Sequence, residues 1–117
     1  MKKLTIIEIM GYVYLLLQTD IDGNESHKIG ITKNDPNLRV KQLQTGNPNK
    51  ISLIRQYESK NYLKVEQWLH RKHSGSKSEA KNEWRILTNE QVFSFINDCK
   101  EADETIKFLL ENNSLYE

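Results

Sequence analysis

The chain has 117 residues, 37% of them apolar, with a mean hydropathy of −0.72 and a formal charge of +1. That length suits a single domain spanning 1–117 and leaves no room for a second folded module. No apolar run approaches the ~18–20 residues of a membrane span, and the single Cys99 forbids an internal disulfide or a cysteine metal cluster. The expected compartment is therefore the cytoplasm.

In chain order, MKKLTIIEIM begins basic, but its apolar part is short and broken by Glu8. It reads as a lead or a short edge strand and not as a signal peptide. Tyr12 to Gln18 alternates as a strand. Val13, Leu15 and Leu17 take one face, and Tyr12, Tyr14 and Leu16 take the other. TDIDGNES is a hairpin loop, with Asp22-Gly23 as its turn. Asp20 and Asp22 hint at a calcium loop, but the closing Glu is missing. Lys28 to Thr32 is the second strand, with Ile29 and Ile31 inward and Lys28 and Gly30 on the opposite face with Tyr12 and Tyr14.

Asp35-Pro36 announces a helix, Asp35 as cap and Pro36 at the first position. The helix carries Leu38, Arg39, Val40 and Leu43, and Thr45-Gly46-Asn47-Pro48 stops it. Ile51 to Tyr57 reads as a third strand, with Ile51, Leu53 and Arg55 on one face. Tyr62 to His73 reads as a second helix, with Tyr62, Val65 and Leu69 at helical spacing. Ser74 to Lys81 is a polar loop, and Glu83 to Leu87 is a short extended piece. Thr88-Asn89-Glu90-Gln91 is a capping box. It opens a helix with a stripe of Val92, Ile96 and Cys99, widened by Phe93. A further helical stretch carries Ile106, Leu109 and Leu110, and the tail after Asn112 is expected to fray. The fold class is α/β (α+β): a small three-stranded, mostly antiparallel sheet flanked by helices, with a motif core over 11–87 and a C-terminal helical cap over 88–112.

The charge is uneven. Residues 24–81 carry 12 Lys/Arg against 5 Asp/Glu, a net +7, whereas residues 82–117 carry 3 against 8, a net −5. A basic block that coincides with the motif region and contains Lys28 and Arg39 suits a phosphate-facing surface. Gly30 among them leaves room for a close approach.

The ordered set VYLL, HKIGIT, Arg39, VEQWLH and NEW resembles the GIY-YIG nuclease superfamily, in its phage-associated branch where KIG stands in place of YIG. Tyr12-Val13-Tyr14 occupies the place of Gly-Ile-Tyr, with Gly11 one position earlier. The resemblance implies a divalent-metal-dependent endonuclease that hydrolyses DNA phosphodiester bonds. By resemblance, Tyr14 orients or activates the attacking water. A free phenol titrates near pH ~10, so it needs help, and Lys28 is placed to give it. Arg39 matches the helix arginine, whose guanidinium grips phosphate oxygens in pairs. Glu83 matches the metal ligand for Mg²⁺ or Mn²⁺. One carboxylate plus water and substrate phosphate suffices for such an ion.

Tyr12, Gly30, Lys33 and His70 are expected to support the site or contact substrate. Trp84 reads as a core anchor. Besides the first motif and Lys28, which stands where many family members have the second Tyr, two further positions depart from the family pattern: Leu43 stands where His is common, and Arg85 where a second aromatic is common. Each residue also has a plainer reading. Tyr14 could be a half-buried strand aromatic, Lys28 an edge-strand gatekeeper, and Arg39 the partner of Asp35 in a surface pair. Glu66, His70 and His73 lie at i, i+4 and i+7, a stripe that could bind zinc but lacks a fourth ligand. A wall-building role fits it better. His27, at a turn edge, reads as solvated. The partner is nucleic acid, DNA first and RNA second. Sequence specificity would come from a homodimer or a separate DNA-binding partner. A catalytically inactive nucleic-acid- or protein-binding module on the same fold is the alternative.

Overall fold

A computed structural model describes residues 9–74, 78–79 and 84–112. Strand β1 (Gly11–Thr19) and β2 (Glu25–Thr32) form the hairpin. Its turn is held by Asp20, whose Oδ1 accepts from the amides of Asp22 and Asn24 at 2.9 Å each. Gly23 has φ +82° there, a left-handed conformation that costs glycine nothing. These bonds, those from Asn24 foremost, hold the Asp20 carboxyl below the ordinary range.

Helix α1 (Pro36–Gln44) starts as expected. Asp35 caps it by accepting from the Asn37 amide at 2.9 Å, and Pro36 occupies the first turn. Strand β3 (Lys50–Ser59), helix α2 (Tyr62–Lys72), the two-residue strands β4 (Ser78–Glu79) and β5 (Trp84–Arg85), and helix α3 (Asn89–Asn112) follow. The capping box at α3 is reciprocal. The Gln91 amide donates to Thr88 Oγ1 at 3.1 Å, and the Thr88 amide donates to Gln91 Oε1 at 2.8 Å.

The sheet is antiparallel throughout, in the order β3-β1-β2-β5-β4. Three long strands make its body, and β4 and β5 extend the β2 edge. Ser78 and Glu79, read from sequence as loop, thus belong to a strand. The two helical stretches expected after Thr88 are one helix of 24 residues.

Both faces of the sheet are covered. On one, Val13, Leu15 and Ile29 pack beneath Tyr62, Val65 and Leu69 of α2 and Phe95, Cys99, Ala102 and Ile106 of α3. On the other, Tyr14, Leu16, Ile51 and Trp84 form a smaller cluster under Val40 and Leu43 of α1. Burying each large side chain contributes about 1.5–3 kcal/mol. Leu17 and Ile31 are only half-buried.

Strand β3 breaks its expected alternation at a bulge. Leu15 pairs with Arg55 but Leu16 pairs with Leu53, so Ile54 is the extra residue. Ile51 and Leu53 face the smaller cluster, Ile54 turns to the larger one, and Arg55 points into solvent. On α3 the expected stripe of Val92, Ile96 and Cys99 does pack against the core, but Phe95 and not Phe93 widens it. Phe95 is buried and Phe93 is 78% exposed, because Phe95, Cys99, Ala102 and Ile106 follow the helical period.

Two carboxylates lock α3 in place. Asp103 accepts from Tyr57 Oη at 2.8 Å, Ser59 Oγ at 2.9 Å and Asn61 Nδ2 at 2.9 Å. Asp98 accepts from Lys72 Nζ and Ser94 Oγ, both at 2.9 Å.

Candidate active site

The β1–β2 register sets Tyr14 opposite Gly30 and Leu16 opposite Lys28. All four lie on the α1 side of the sheet. A Cβ at Gly30 would overlap the Tyr14 phenol, its hydroxyl included. The glycine is therefore what lets the ring lie across β2. Lys28, two residues along the same face of β2, places its Nζ 5.9 Å from the centre of the Trp84 ring, within reach of a cation–π attraction.

Sequence reasoning grouped Tyr12, Tyr14, Lys28 and Gly30 on an open face. They share the face, but it is not open at Tyr14. That residue is 2% exposed, packed with Leu16, Ile51 and Trp84. The near-continuous apolar run of β1 buries both of its sides, which an alternation argument cannot separate. Trp84 is the expected core anchor, 6% exposed.

Arg39 sits on α1, the helix whose Val40 and Leu43 cover this cluster. It is half-buried, and its Nη1 donates to Gln42 Oε1 at 3.2 Å. Asp35 is occupied with the helix cap instead of pairing with it. Leu43, at the position expected to miss a histidine, is a packing residue. Beside Lys28 and Trp84, between the end of β1 and the loop after α1, a cleft of about 360 Å³ opens. Lys33 is exposed on the loop between β2 and α1. Tyr12 is tied to its cross-strand neighbour Glu58. A hydrogen bond to that carboxylate, then its charge, raises the phenol above its ordinary range. Tyr12 is thus poorly suited to act as a base. Glu83, the expected metal ligand, lies outside the described residues.

The model of the T5orf172 domain matches residues 11–112, from the first residue of β1 to the last of α3. The chain belongs to the T5orf172 domain family. This is a phage-associated family related to GIY-YIG-like or HNH-type nucleases and associated with nuclease and DNA-binding function. No curated protein and no solved structure matches the chain. No described helix is long and apolar enough to cross a membrane.

This T5orf172 domain has a second polar cluster, where α2 meets β5. Arg85 Nη1 donates to the His73 carbonyl at 2.8 Å, and Nη2 lies 3.3 Å from His70 Nδ1. A guanidinium only donates, so Nδ1 accepts and the ring proton sits on Nε2, facing Glu66 Oε2 at 3.8 Å. His70 is therefore a strut between Glu66 and Arg85. Among the described residues no group of three or more His, Cys, Asp or Glu could hold a metal ion. In that stripe Glu66 and His70 share the contact just described, and His73, at the C-cap of α2, is buried.

His27 corrects its sequence reading as a solvated residue. It is 7% exposed, and desolvation pushes its imidazole below the ordinary range, as it does for His73. Its strand is capped at that point by β5, through the pairing of His27 with Arg85. The carboxamides that line the cleft, Gln18, Asn47 and Asn49, were missed. For Asn47 and Asn49 the sequence signal is the polar density that begins at Thr45, whose first four residues read as a helix stop, and Gln18 at the end of β1 carries none.

Proposed function

We propose that this domain is a divalent-metal-dependent endonuclease that hydrolyses DNA phosphodiester bonds in the GIY-YIG manner. The observation that carries the reading is the Tyr14 phenol lying over Gly30 with Lys28 next along the same face, under the helix that bears Arg39. Water, oriented by the Tyr14 hydroxyl, attacks phosphorus as the bond to the 3′ oxygen breaks. Lys28, two residues from Gly30 on the same face of β2, supplies the ammonium of the site. Arg39 holds the non-bridging oxygens and stabilises the charge that develops on them. Glu83 supplies the carboxylate for Mg²⁺ or Mn²⁺, whose chemistry would be to neutralise charge at the scissile phosphate. Lys33, on the loop that leads into α1, meets the backbone of the bound strand.

The nearly complete burial of Tyr14 favours a second reading, a nucleic-acid-binding module without catalysis. A nicking assay decides between them, run with Mg²⁺, with Mn²⁺ and with EDTA on duplex, branched and single-stranded DNA. Cleavage only with metal supports the endonuclease. Tight binding with no metal-dependent cleavage of any of these substrates makes it a binding module.

A further inference from the structure

The cleft beside Lys28 has two unlike walls. Leu43, with the exposed edges of the nearly buried Ile51 and Trp84, gives it a narrow apolar floor, and Lys28 and the carboxamides of Gln18, Asn47 and Asn49 give it a larger polar rim. Its volume of about 360 Å³ falls among small-ligand sites, which span roughly 300–1,000 Å³. The rim is rigid. Gln44 Nε2 donates to the carbonyls of Asn47 and Asn49 at 3.1 and 2.7 Å, and Gln44 Oε1 accepts from the Ile51 amide at 2.9 Å. Asn47 Oδ1 accepts from the Asn49 amide at 2.9 Å, and its Nδ2 donates to Gln18 Oε1 at 3.2 Å. One glutamine side chain thus fastens the whole loop after α1 to the start of β3, fixing it before any ligand arrives.

We propose that this cleft is a nucleobase subsite, which takes one unpaired base beside the phosphate that Lys28 faces. A base has a flat apolar face and an edge of mixed donors and acceptors. The floor suits the face, and the carboxamides suit the edge with the donor and acceptor capacity they keep beyond the rim bonds, a second N–H on each amide and a second lone pair on each oxygen. In a paired duplex that edge is engaged and the face is stacked, so the base must be single-stranded or turned out. The inference deepens the nuclease reading by naming its substrate class: DNA with an unpaired nucleotide at the cleaved strand.

The test compares two single-stranded oligomers of equal length and charge, homothymidine and a tetrahydrofuran abasic strand. Binding is read in EDTA, independently of cleavage. Homothymidine should bind about tenfold more tightly, the contribution of a hydrogen-bonded, partly desolvated base. Asn49→Ala, and separately Gln18→Leu, should erase most of that difference and leave abasic binding unchanged. Thermal melting identifies a variant that is misfolded, in which case the other decides. Equal affinity for the two wild-type complexes overturns the subsite, and so does a preference that survives both substitutions in folded protein. Either outcome leaves the nuclease reading intact. Absence of metal-dependent cleavage overturns that reading and leaves the base preference standing.

Discussion

The two faces of the sheet are built to different specifications. The face under α2 and α3 is closed. It is aliphatic and aromatic, and the carboxylates at its border, Asp98 and Asp103, are saturated with donors. Even its thiol is inert. Burial raises Cys99 to about 12, far from the thiolate that reacts. The face under α1 is smaller and mixed. It sets a phenol, a lysine and a tryptophan against one another and borders a polar cleft. The first face stabilises the fold, and the second carries the residues to which we assign the proposed chemistry.

The largest effects should come from the residues proposed for catalysis and metal binding and leave the fold intact. Glu83→Gln keeps size and removes the charge a cation needs. Its cleavage should fall by about three orders of magnitude or more, roughly 4 kcal/mol of transition-state stabilisation. Its DNA affinity should hold or rise, since a negative charge has left the phosphate site. Arg39→Ala should lose as much activity and also bind DNA more weakly, most visibly at low salt. Parallel binding and cleavage measurements read both. Equal cleavage by Glu83→Gln and wild type would remove Glu83 from the site.

On the closed face, Phe95→Ala should cost about 3–5 kcal/mol of stability, through lost transfer energy and the cavity left behind. Urea unfolding measures it. A loss under ~1 kcal/mol would mean that α3 is not the lid of the core.

The buried histidines give a pH signature. His27 and His73 have folded values below the ordinary 6.5 because burial penalises the imidazolium. The unfolded chain then binds more protons than the folded one at mildly acid pH. Stability should be full above pH ~6.5 and fall as the pH drops below it. The window of Asp20, a carboxyl held low, lies further into acid. Urea midpoints between pH 7.5 and 5 should show the decline, and His73→Gln should flatten it. The smallest effect is local. Thr88→Ala removes one half of the α3 capping box and should cost about 1 kcal/mol.

Much of this architecture was legible in the sequence. The hairpin, the Asp35-Pro36 helix start, the α2 stripe and the α3 cap rest on local chemistry that the chain spells out. What was not legible depends on non-local packing. The β3 bulge at Ile54 exists only against β1. The choice of Phe95 over Phe93 follows from small Ala102 sharing its stripe, a residue that draws no attention in a list of large apolar side chains. Tyr14 was placed on the correct face, yet its burial needed the knowledge that α1 and Trp84 fold over it. Arg85, noted only as a departure from a family pattern, ties α2 to the sheet edge.

The division of labour between the two faces is tested most directly by Tyr14→Phe. The substitution removes one oxygen from a core residue and leaves the ring over Gly30. Its melting temperature and its Mg²⁺-dependent cleavage rate should be measured together. The fold should lose no more than about 1 kcal/mol, while cleavage drops by about two orders of magnitude or more. A variant that cleaves at the wild-type rate would mean that Tyr14, like the residues of the opposite face, serves packing alone.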